Sequence, residues 1–355
     1  MQRLGIYIHW PYCKSKCPYC DFFSRVQKNV DQSAIIKSYL ADLEYYRSLN
    51  DDYRVESIFF GGGTPSLLNP QHISEIIDKI TTLWHCSDRL EISLEANPNT
   101  DDGRLFSELK SAGINRLSLG VQALNDVDLK FLGRTHSLND ALASIDSVLQ
   151  NFNNHSIDLI YARPDQDIKS WQKELKTACS FGLKHLSLYQ LTIEENTVFG
   201  KKKVPTCSEK QAVRLYELTD EIMNKAGAPA YEVSNYARSG EESQHNMLYW
   251  TGGDFIGIGP SAQGRIGNIA TQNERWPMDW LKTPTHKENL TPKQIQMEHL
   301  IMGLRLRKTL HPTQNLDPKK IKEAVRRGWV EQNHCGIRPT LKGTLMLNQL
   351  ILLLA

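Results

Sequence analysis

The chain has 355 residues, of which 40% are hydrophobic and 23% are charged, and its 42 basic and 40 acidic side chains give a formal net charge of +2. This composition is typical of a folded protein with a large core, and it excludes disorder of the whole chain. A charge so close to zero gives no electrostatic support for a protein that binds nucleic acid or an acidic membrane surface. We therefore expect no nucleic-acid partner.

Short runs of β-branched and apolar residues alternate with stretches of helical periodicity over the first 194 residues. The predicted strands are 4–9, 55–60, 90–95, 116–121, 156–161 and 185–191, and the predicted helices among them are 33–49, 72–83, 138–149 and 168–181. Such alternation predicts right-handed βαβ units and a parallel sheet. Six units favour an α/β fold built on a barrel or partial barrel.

The pattern changes after residue 197. A helix is predicted at 208–226 and a short strand at 231–236, and residues 252–267 are glycine-rich and read as irregular. Further helices at 293–305, 318–327 and 341–353 surround a strand candidate at 329–335, which favours a small winged-helix-like C-terminal domain. The stretch 283–292 is the predicted linker. We therefore expect a partial barrel over 1–200, an extension of it over 201–282, and the C-terminal domain over 291–355.

The sequence also predicts where the protein resides. The N-terminal residues lack the apolar segment of a signal peptide. No stretch approaches the roughly 18 apolar residues of a membrane span, so an integral membrane protein is not expected. The predicted location is the cytoplasm, where clustered cysteines more often bind metal than each other.

Three cysteines, Cys13, Cys17 and Cys20, fall within eight positions. A loop with this spacing can turn three sulfurs toward one centre, and thiolates suit zinc or an iron–sulfur cluster. A structural zinc site needs a fourth ligand at short spacing, and His9 and Cys86 fit that role poorly. Three thiolates on a [4Fe–4S] cluster leave one iron open to a ligand, as chemically active metal centres require. The spacing favours such a cluster, with zinc or incidental thiols as alternatives.

Other polar residues lie at or near the ends of predicted strands, the edge at which parallel α/β sheets bind ligands. The run Gly-Gly-Gly-Thr at 61–64 follows the second strand, Glu95 ends the third and Gln122 follows the fourth, whereas Asp158 lies within the fifth. Each has a structural alternative. The glycine run could be a plain turn, Glu95 a solvated carboxylate, Gln122 a capping amide and Asp158 an ion-paired carboxylate.

The three-cysteine pattern, with Tyr19 before the last cysteine, resembles the signature of radical S-adenosylmethionine (SAM) proteins. The resemblance implies a [4Fe–4S] cluster on Cys13, Cys17 and Cys20, with SAM on the open iron. Over residues 6–264 the chain is similar to the oxygen-independent coproporphyrinogen oxidase branch of that superfamily. The resemblance implies that SAM is surrounded by Tyr7, Tyr19, Gly62, Gly63, Thr64, Glu95, Gln122, Arg134 and Asp158.

A further motif is His245-Asn246-Met-Leu-Tyr249-Trp250. It resembles the His-Asn-x-x-Tyr-Trp motif of the HemW group, the radical SAM haem chaperones, and implies a haem-binding role for these four residues. A neutral imidazole is a common axial ligand of haem iron, and the two aromatic rings offer flat apolar surface to a porphyrin. The alternative is a packed histidine with two core aromatics. The oxidase has a further cysteine where this chain has Phe22, which also favours the HemW group.

The sequence therefore predicts a chaperone that binds haem and delivers it to apo-haemoproteins, by analogy respiratory membrane enzymes, and that carries a [4Fe–4S] cluster and SAM. The alternative is an enzyme, an oxygen-independent oxidase that decarboxylates coproporphyrinogen III. A radical SAM enzyme with some other substrate is the third reading.

Overall fold

The computed structural model describes residues 1–27, 29–49, 52–98, 104–282, 285–307, 312 and 315–355. They divide into two compact units: the first is Met1–Ile160, Leu191–Thr206 and Asp254–Asn289, and the second is Tyr161–Gln190, Cys207–Gly253 and Leu290–Ala355. Residues 283 and 284 of the predicted linker lie outside the described residues. The three predicted domain ranges stay a prediction.

The described residues of the two units contain fifteen strands, and most of them belong to the sheet of the first unit. The strands in chain order are β1 (Gln2–Trp10), β2 (Tyr12–Cys13), β3 (Arg25–Val26), β4 (Tyr53–Gly62), β5 (His85–Ala96), β6 (Arg116–Gln122), β7 (Asn154–Tyr161), β8 (His185–Gln190), β9 (Asn235–Ala237), β10 (Asp254–Ile258), β11 (Gln263–Ile266), β12 (Ile269–Gln272), β13 (His286–Asn289), β14 (Val330–Asn333) and β15 (Gly336–Pro339). In the first unit they follow the order β13-β12-β11-β10-β1-β4-β5-β6-β7. The pairs from β10 to β7 are parallel and those from β13 to β10 are antiparallel. No strand pairing among the described residues closes this sheet into a barrel.

Helices connect and cover these strands. They are α1 (Gln32–Leu49), α2 (Pro70–Leu83), α3 (Leu105–Ser111), α4 (Asp126–Phe131), α5 (Leu138–Asn151), α6 (Ile168–Ser180), α7 (Val198–Lys201), α8 (Glu209–Lys225), α9 (Gln244–Trp250), α10 (Pro277–Trp280), α11 (Pro292–Gly303), α12 (Pro318–Arg326), α13 (Leu341–Leu345) and α14 (Leu347–Leu354). None of the helices in the described ranges is long and apolar enough to cross a membrane.

The core of the first unit follows from the sequence pattern. Strand β1 is buried on both faces from Leu4 to Trp10, except at the half-buried Tyr7, and its Leu4, Ile6 and Ile8 are fully buried. In α2 the isoleucines recur with helical spacing and form one buried face, namely Ile73, Ile76, Ile77 and Ile80. The six predicted strands correspond to β1, β4, β5, β6, β7 and β8, and the four predicted helices among them to α1, α2, α5 and α6.

The second half of the chain differs from the expectation in several places. The stretch 252–267, expected to be irregular, contains β10 and β11, and β10 pairs with β1. Glycine occurs there because two backbones approach closely: a Cβ on Gly257 would lie 2.2 Å from the carbonyl oxygen of Gln263. The strand expected at 231–236 is confined to β9, which pairs with β8.

The C-terminal part of the second unit has its own core. Side chains of α11, α12, α14 and the β14–β15 hairpin form one buried cluster, which includes Leu300, Ile321, Trp329, Ile337 and Leu350. The strand candidate at 329–335 is therefore one arm of a hairpin. The helix expected over 341–353 is interrupted at Met346, which separates α13 from α14. The sequence predicted helices around a single short strand, and the structure has a second strand, β15, paired with it.

Candidate functional site

The cysteine loop packs directly on the glycine-rich end of β4. The Gly63 N–H donates to the carbonyl of Trp10 at 2.6 Å, and the Thr64 N–H donates to that of Tyr12 at 2.9 Å. A Cβ on Gly63 would lie 2.5 Å from the Tyr12 carbonyl oxygen, so a side chain does not fit here. The Gly62 N–H in turn donates to Glu95 Oε2 at 3.3 Å. Because these N–H groups are used within the protein, a ligand at this loop would meet carbonyl oxygens, which accept from an ammonium group.

The three cysteines of the loop differ in exposure. Cys13 is buried, whereas Cys17 and Cys20 are partly exposed. Within the described ranges, no set of three or more His, Cys, Asp or Glu side chains is arranged to hold a metal ion. Burial raises the pKa of the Cys20 thiol to about 11. The three sulfurs thus lie in one loop but are not arranged around a common centre. Metal binding would also displace the protons of the three thiols.

His9, the nearest histidine in sequence, has both ring nitrogens occupied. Its Nε2 lies 3.0 Å from the Phe23 carbonyl oxygen and its Nδ1 lies 3.0 Å from Tyr7 Oη. Burial lowers the pKa of His9 to about 4, so the ring is neutral, Nε2 donates to Phe23 and Nδ1 accepts from Tyr7. His9 is therefore unsuited to be the fourth ligand of a zinc ion, and the three-thiolate donor set fits a [4Fe–4S] cluster better.

Arg134 lies against the cysteine loop. Its Nη1 donates to Cys17 Sγ at 3.3 Å, and its Nη2 donates to the Gly120 carbonyl at 2.9 Å and to Asn97 Oδ1. Its Nε is buried and has no hydrogen-bond partner among the described residues. An unpaired buried N–H favours an acceptor such as a carboxylate.

These side chains line one cleft. Asn97 also donates to Thr64 Oγ1 at 3.1 Å, which connects the glycine-rich loop to Arg134. The cleft has a cavity volume of about 30 Å³ and is lined by Lys14, Ser15, Cys17, Thr64, Asn97, Gly133, Arg134 and Thr135. Within the described part of the first unit, it is the one place where the cysteine loop, the glycine-rich loop and the Arg134 guanidinium meet.

Two carboxyl groups lie behind the glycine-rich loop. Burial, and secondly the neighbouring charge of Asp158, raise the pKa of Glu95 to about 8. Ser118 Oγ donates to Asp158 Oδ1 at 3.0 Å. Glu95 is therefore mostly protonated at neutral pH, and an approaching cation would favour its ionised form.

The remaining predicted residues of the first unit lie around these contacts. The Tyr7 ring stacks on Phe59 with centroids 6.2 Å apart, beside Gly61. Tyr19 packs in an apolar cluster with Leu129 and Leu132, and burial raises the pKa of its phenol well above the usual range. Gln122 ends β6 with a left-handed φ of 72°, and its side chain lies against Gly120.

Sequence reasoning missed Asn97, although a signal was available. Asn97 follows β5 directly, two residues after Glu95, and so meets the same strand-end criterion that selected Glu95. Its contacts with Arg134 and Thr64 were not predictable from local sequence, because they join residues 37 and 33 positions apart.

The His-Asn-x-x-Tyr-Trp motif forms α9 in the second unit. The Ser243 side chain caps this helix by accepting from the Asn246 N–H at 3.4 Å. His245 is only 2% exposed, and its Nε2 lies 2.5 Å from Tyr249 Oη. Burial raises the pKa of Tyr249 well above the usual range, so the phenol keeps its proton, and the tautomer of His245 sets which of the two groups donates. The nitrogen that would bind a haem iron is therefore engaged by another residue of the same motif.

The motif is also bonded to its surroundings. Asn246 Nδ2 donates to Tyr231 Oη at 3.3 Å, and that oxygen lies 3.0 Å from His185 Nε2. The Arg305 guanidinium lies over the Trp250 ring, with Cζ 4.5 Å from the ring centroid. The i, i+4 spacing of a helix could have predicted the His245–Tyr249 contact. Nothing in the local sequence could have indicated Arg305, 55 positions after Trp250.

Comparisons with known proteins identify the family. A model of the radical SAM superfamily matches residues 7–178. The solved structure of coproporphyrinogen III oxidase (HemN) from Escherichia coli superposes with a TM-score of 0.83 over 99% of this chain and 90% of that one, at 21% identity, which confirms the predicted fold class.

Similar sequences identify the family within the radical SAM superfamily to which the chain belongs. "Heme chaperone HemW" from Buchnera aphidicola subsp. Schizaphis graminum is 34% identical over 98% of this chain and 97% of its own. "Radical S-adenosyl methionine domain-containing protein 1, mitochondrial" from Bos taurus is 33% identical over 99% of this chain and 87% of its own. The Escherichia coli HemW is 37% identical over 74% of this chain and 70% of its own. The chain belongs to the HemW family of radical SAM proteins.

Proposed function

We propose that this protein is a haem chaperone, which binds haem and transfers it to apo-haemoproteins of the respiratory kind, and which carries a [4Fe–4S] cluster and SAM. The observation that carries the proposal is the near full-length similarity to a protein named a haem chaperone, at 34% identity over 98% of this chain. The motif of α9 supports it, since it supplies an imidazole and two aromatic rings within seven residues.

For the first unit we propose that Cys13, Cys17 and Cys20 hold the cluster. With SAM bound, the cluster supplies one-electron chemistry that cleaves SAM. The carbonyl oxygens of Gly62 and Gly63 would accept from the SAM ammonium group, and Arg134 Nε would donate to its carboxylate. The walls of the SAM site would be completed by six further side chains, those of Tyr7, Tyr19, Thr64, Glu95, Gln122 and Asp158.

For the second unit we propose that α9 contributes the haem site. His245 Nε2 is the proposed axial ligand, and Tyr249 Oη is bonded to that nitrogen at 2.5 Å in this structure. Ligation therefore requires Tyr249 to release the imidazole and the ring to become accessible. Haem binding is thus expected to be coupled to a local movement of α9.

Haem titration followed by transfer tests this function. Ferric haem added to the purified, cluster-loaded protein should produce a saturable Soret band, and mixing with an apo-haemoprotein should move that band to the acceptor. The same sample is then incubated anaerobically with coproporphyrinogen III, SAM and reductant. Robust formation of protoporphyrinogen IX would overturn the proposal in favour of the oxidase.

The cluster assignment has its own test. Replacement of all three cysteines with alanine should abolish the broad charge-transfer absorption near about 400 nm that thiolate-ligated clusters show. Haem binding by the second unit should persist in this variant. Retention of about four irons per chain would show that the cluster ligands lie elsewhere.

A further inference from the structure

Two neighbouring side chains of the second unit each carry a buried donor that has no hydrogen-bond partner among the described residues. Trp250 Nε1 and Arg305 Nε are both inaccessible to solvent, and neither has a hydrogen-bond partner among the described residues. The two side chains are in contact, with the guanidinium 4.5 Å from the centre of the indole ring. A buried donor without a partner has lost its hydrogen bonds to water and gained none in return, so it destabilises the fold unless a ligand supplies an acceptor.

Stacking on a tryptophan does not by itself leave an arginine unpaired. Arg327 lies over Trp329 in the same unit with a similar distance of 4.7 Å, but its Nε donates to Glu323 Oε1 at 2.6 Å. Arg305 and Arg327 therefore lie at similar distances from a tryptophan ring and differ in whether Nε has an acceptor.

A second nitrogen of the Arg305 guanidinium, Nη2, is held in place by a buried carboxylate. This nitrogen lies 3.3 Å from Glu232 Oε2, and Glu232 is 1% exposed. The other oxygen of Glu232 accepts from the Ser234 N–H at 2.8 Å and from Asn235 Nδ2 at 2.7 Å. Glu232 thus pairs with Arg305 through Nη2, and Nε is left as a donor for a second carboxylate.

We propose that Trp250 Nε1 and Arg305 Nε form a carboxylate receptor, and that its ligand is a propionate group of haem. The inference rests on the proposed function, and it adds a recognition site separate from the iron ligand. A planar carboxylate has two oxygens, one for each donor. The Arg305 side chain is 30% exposed, and both buried donors must become accessible for the carboxylate to bind. The receptor includes Trp250 of the α9 motif, which also contains the proposed axial ligand His245.

Haem and its dimethyl ester, in which both propionates are capped, separate this site from iron ligation. The parent protein should bind haem about tenfold more tightly than the ester, which corresponds to about 1.4 kcal/mol. Arg305→Gln should bind haem about tenfold more weakly and the ester as the parent does, so that the preference disappears. Trp250→Phe, which keeps an aromatic ring but loses the N–H, should lose part of the preference. Arg327→Gln is the matched control and should keep it in full.

The outcomes are distinguishable. Equal binding of haem and ester by the parent, or an undiminished preference in Arg305→Gln, would overturn the receptor while leaving the proposed function in place. Failure of the parent to bind either ligand would overturn both. Thermal unfolding of each variant shows whether it is folded, and if Arg305→Gln is not, Arg305→Lys replaces it: the charge remains without Nε, and the preference should fall severalfold.

Discussion

The hydroxyl group of Tyr249 is hydrogen-bonded to His245 Nε2, the nitrogen proposed to bind the haem iron. A hydrogen bond of this kind contributes about 0.5–1.5 kcal/mol net, and ligation must first break it. The Tyr249 ring itself contributes apolar area that a porphyrin can contact.

Tyr249→Phe should therefore bind haem severalfold more tightly than the parent, because the competing hydrogen bond is removed and the ring is kept. His245→Ala should lose the Soret band or weaken it strongly, with the iron–sulfur spectrum unchanged. Haem titration followed at the Soret band measures both. If Tyr249→Phe weakens binding while His245→Ala does not, the phenol rather than the imidazole contributes to the haem site.

Arg134 is expected to set the reduction potential of the cluster. Its Nη1 donates to Cys17 Sγ at 3.3 Å, and hydrogen bonds and positive charge at a cluster sulfur stabilise the reduced form. Arg134→Gln should make the midpoint potential more negative by on the order of 59 mV, a tenfold lower ratio of reduced to oxidised cluster at a fixed potential. A redox titration followed by electron paramagnetic resonance measures the shift.

Lys14→Gln is the control for this experiment. Lys14 lines the same cleft and carries the same charge, but no hydrogen bond to a sulfur is present for it, and it is exposed. Its loss should shift the potential little because solvent screens an exposed charge. Equal shifts in the two variants would mean that Arg134 acts as a distant charge and not through Cys17.

At the scale of elements, the contact between the glycine-rich loop and the cysteine loop positions the proposed cluster. Gly63→Ala would place a methyl group 2.5 Å from the Tyr12 carbonyl oxygen, and both loops would have to move apart. We expect a loss of about 1–3 kcal/mol of stability and a large drop in bound iron after reconstitution. Gly182→Ala, with a φ of 73° and no atom within 4 Å, should keep its iron despite local strain. Full iron content in Gly63→Ala would show that the loop contact does not hold the cluster loop.

The elements that the sequence predicted well are those whose burial is uniform. Strand β1 and helix α2 show regular apolar patterns because one surface or both are buried along their whole length. Strand β10 was missed because the glycines that let it approach β11 weaken the apolar pattern that marks a strand. Glu95 and the glycine-rich loop could be predicted as site residues because they lie at the ends of predicted strands, and that position is visible in the sequence. The contact of Arg134 with Cys17 spans 117 positions and depends on the folded chain, so no local pattern predicts it.

At the scale of the whole molecule, buried titratable groups give stability two opposing pH dependences. Burial lowers the pKa of His9 and of His136 to about 4, so the unfolded chain binds more protons than the native one between about pH 4 and 6.5, and stability rises with pH there. Burial raises the pKa of Asp42 to about 6 and that of Glu95 to about 8. For these carboxyls the native state binds more protons, and stability falls as pH rises. Of these four groups, Glu95 alone still titrates differently in the two states between about pH 6.5 and 8.

This window isolates Glu95. In the unfolded chain its carboxyl is ionised well below pH 6.5, whereas in the native state it stays protonated up to about pH 8. The free energy of unfolding of the parent should therefore fall with pH by as much as about 1.4 kcal/mol per unit between 6.5 and 8, relative to Glu95→Gln, which cannot ionise. Urea unfolding of the cluster-free, reduced proteins across this range measures the difference. Glu75→Gln, which changes a glutamate with a side chain 51% exposed, should follow the parent. Parallel curves for Glu95→Gln and the parent would mean that Glu95 is already ionised in the native protein, and that the site binds a cation with its carboxylate charge in place.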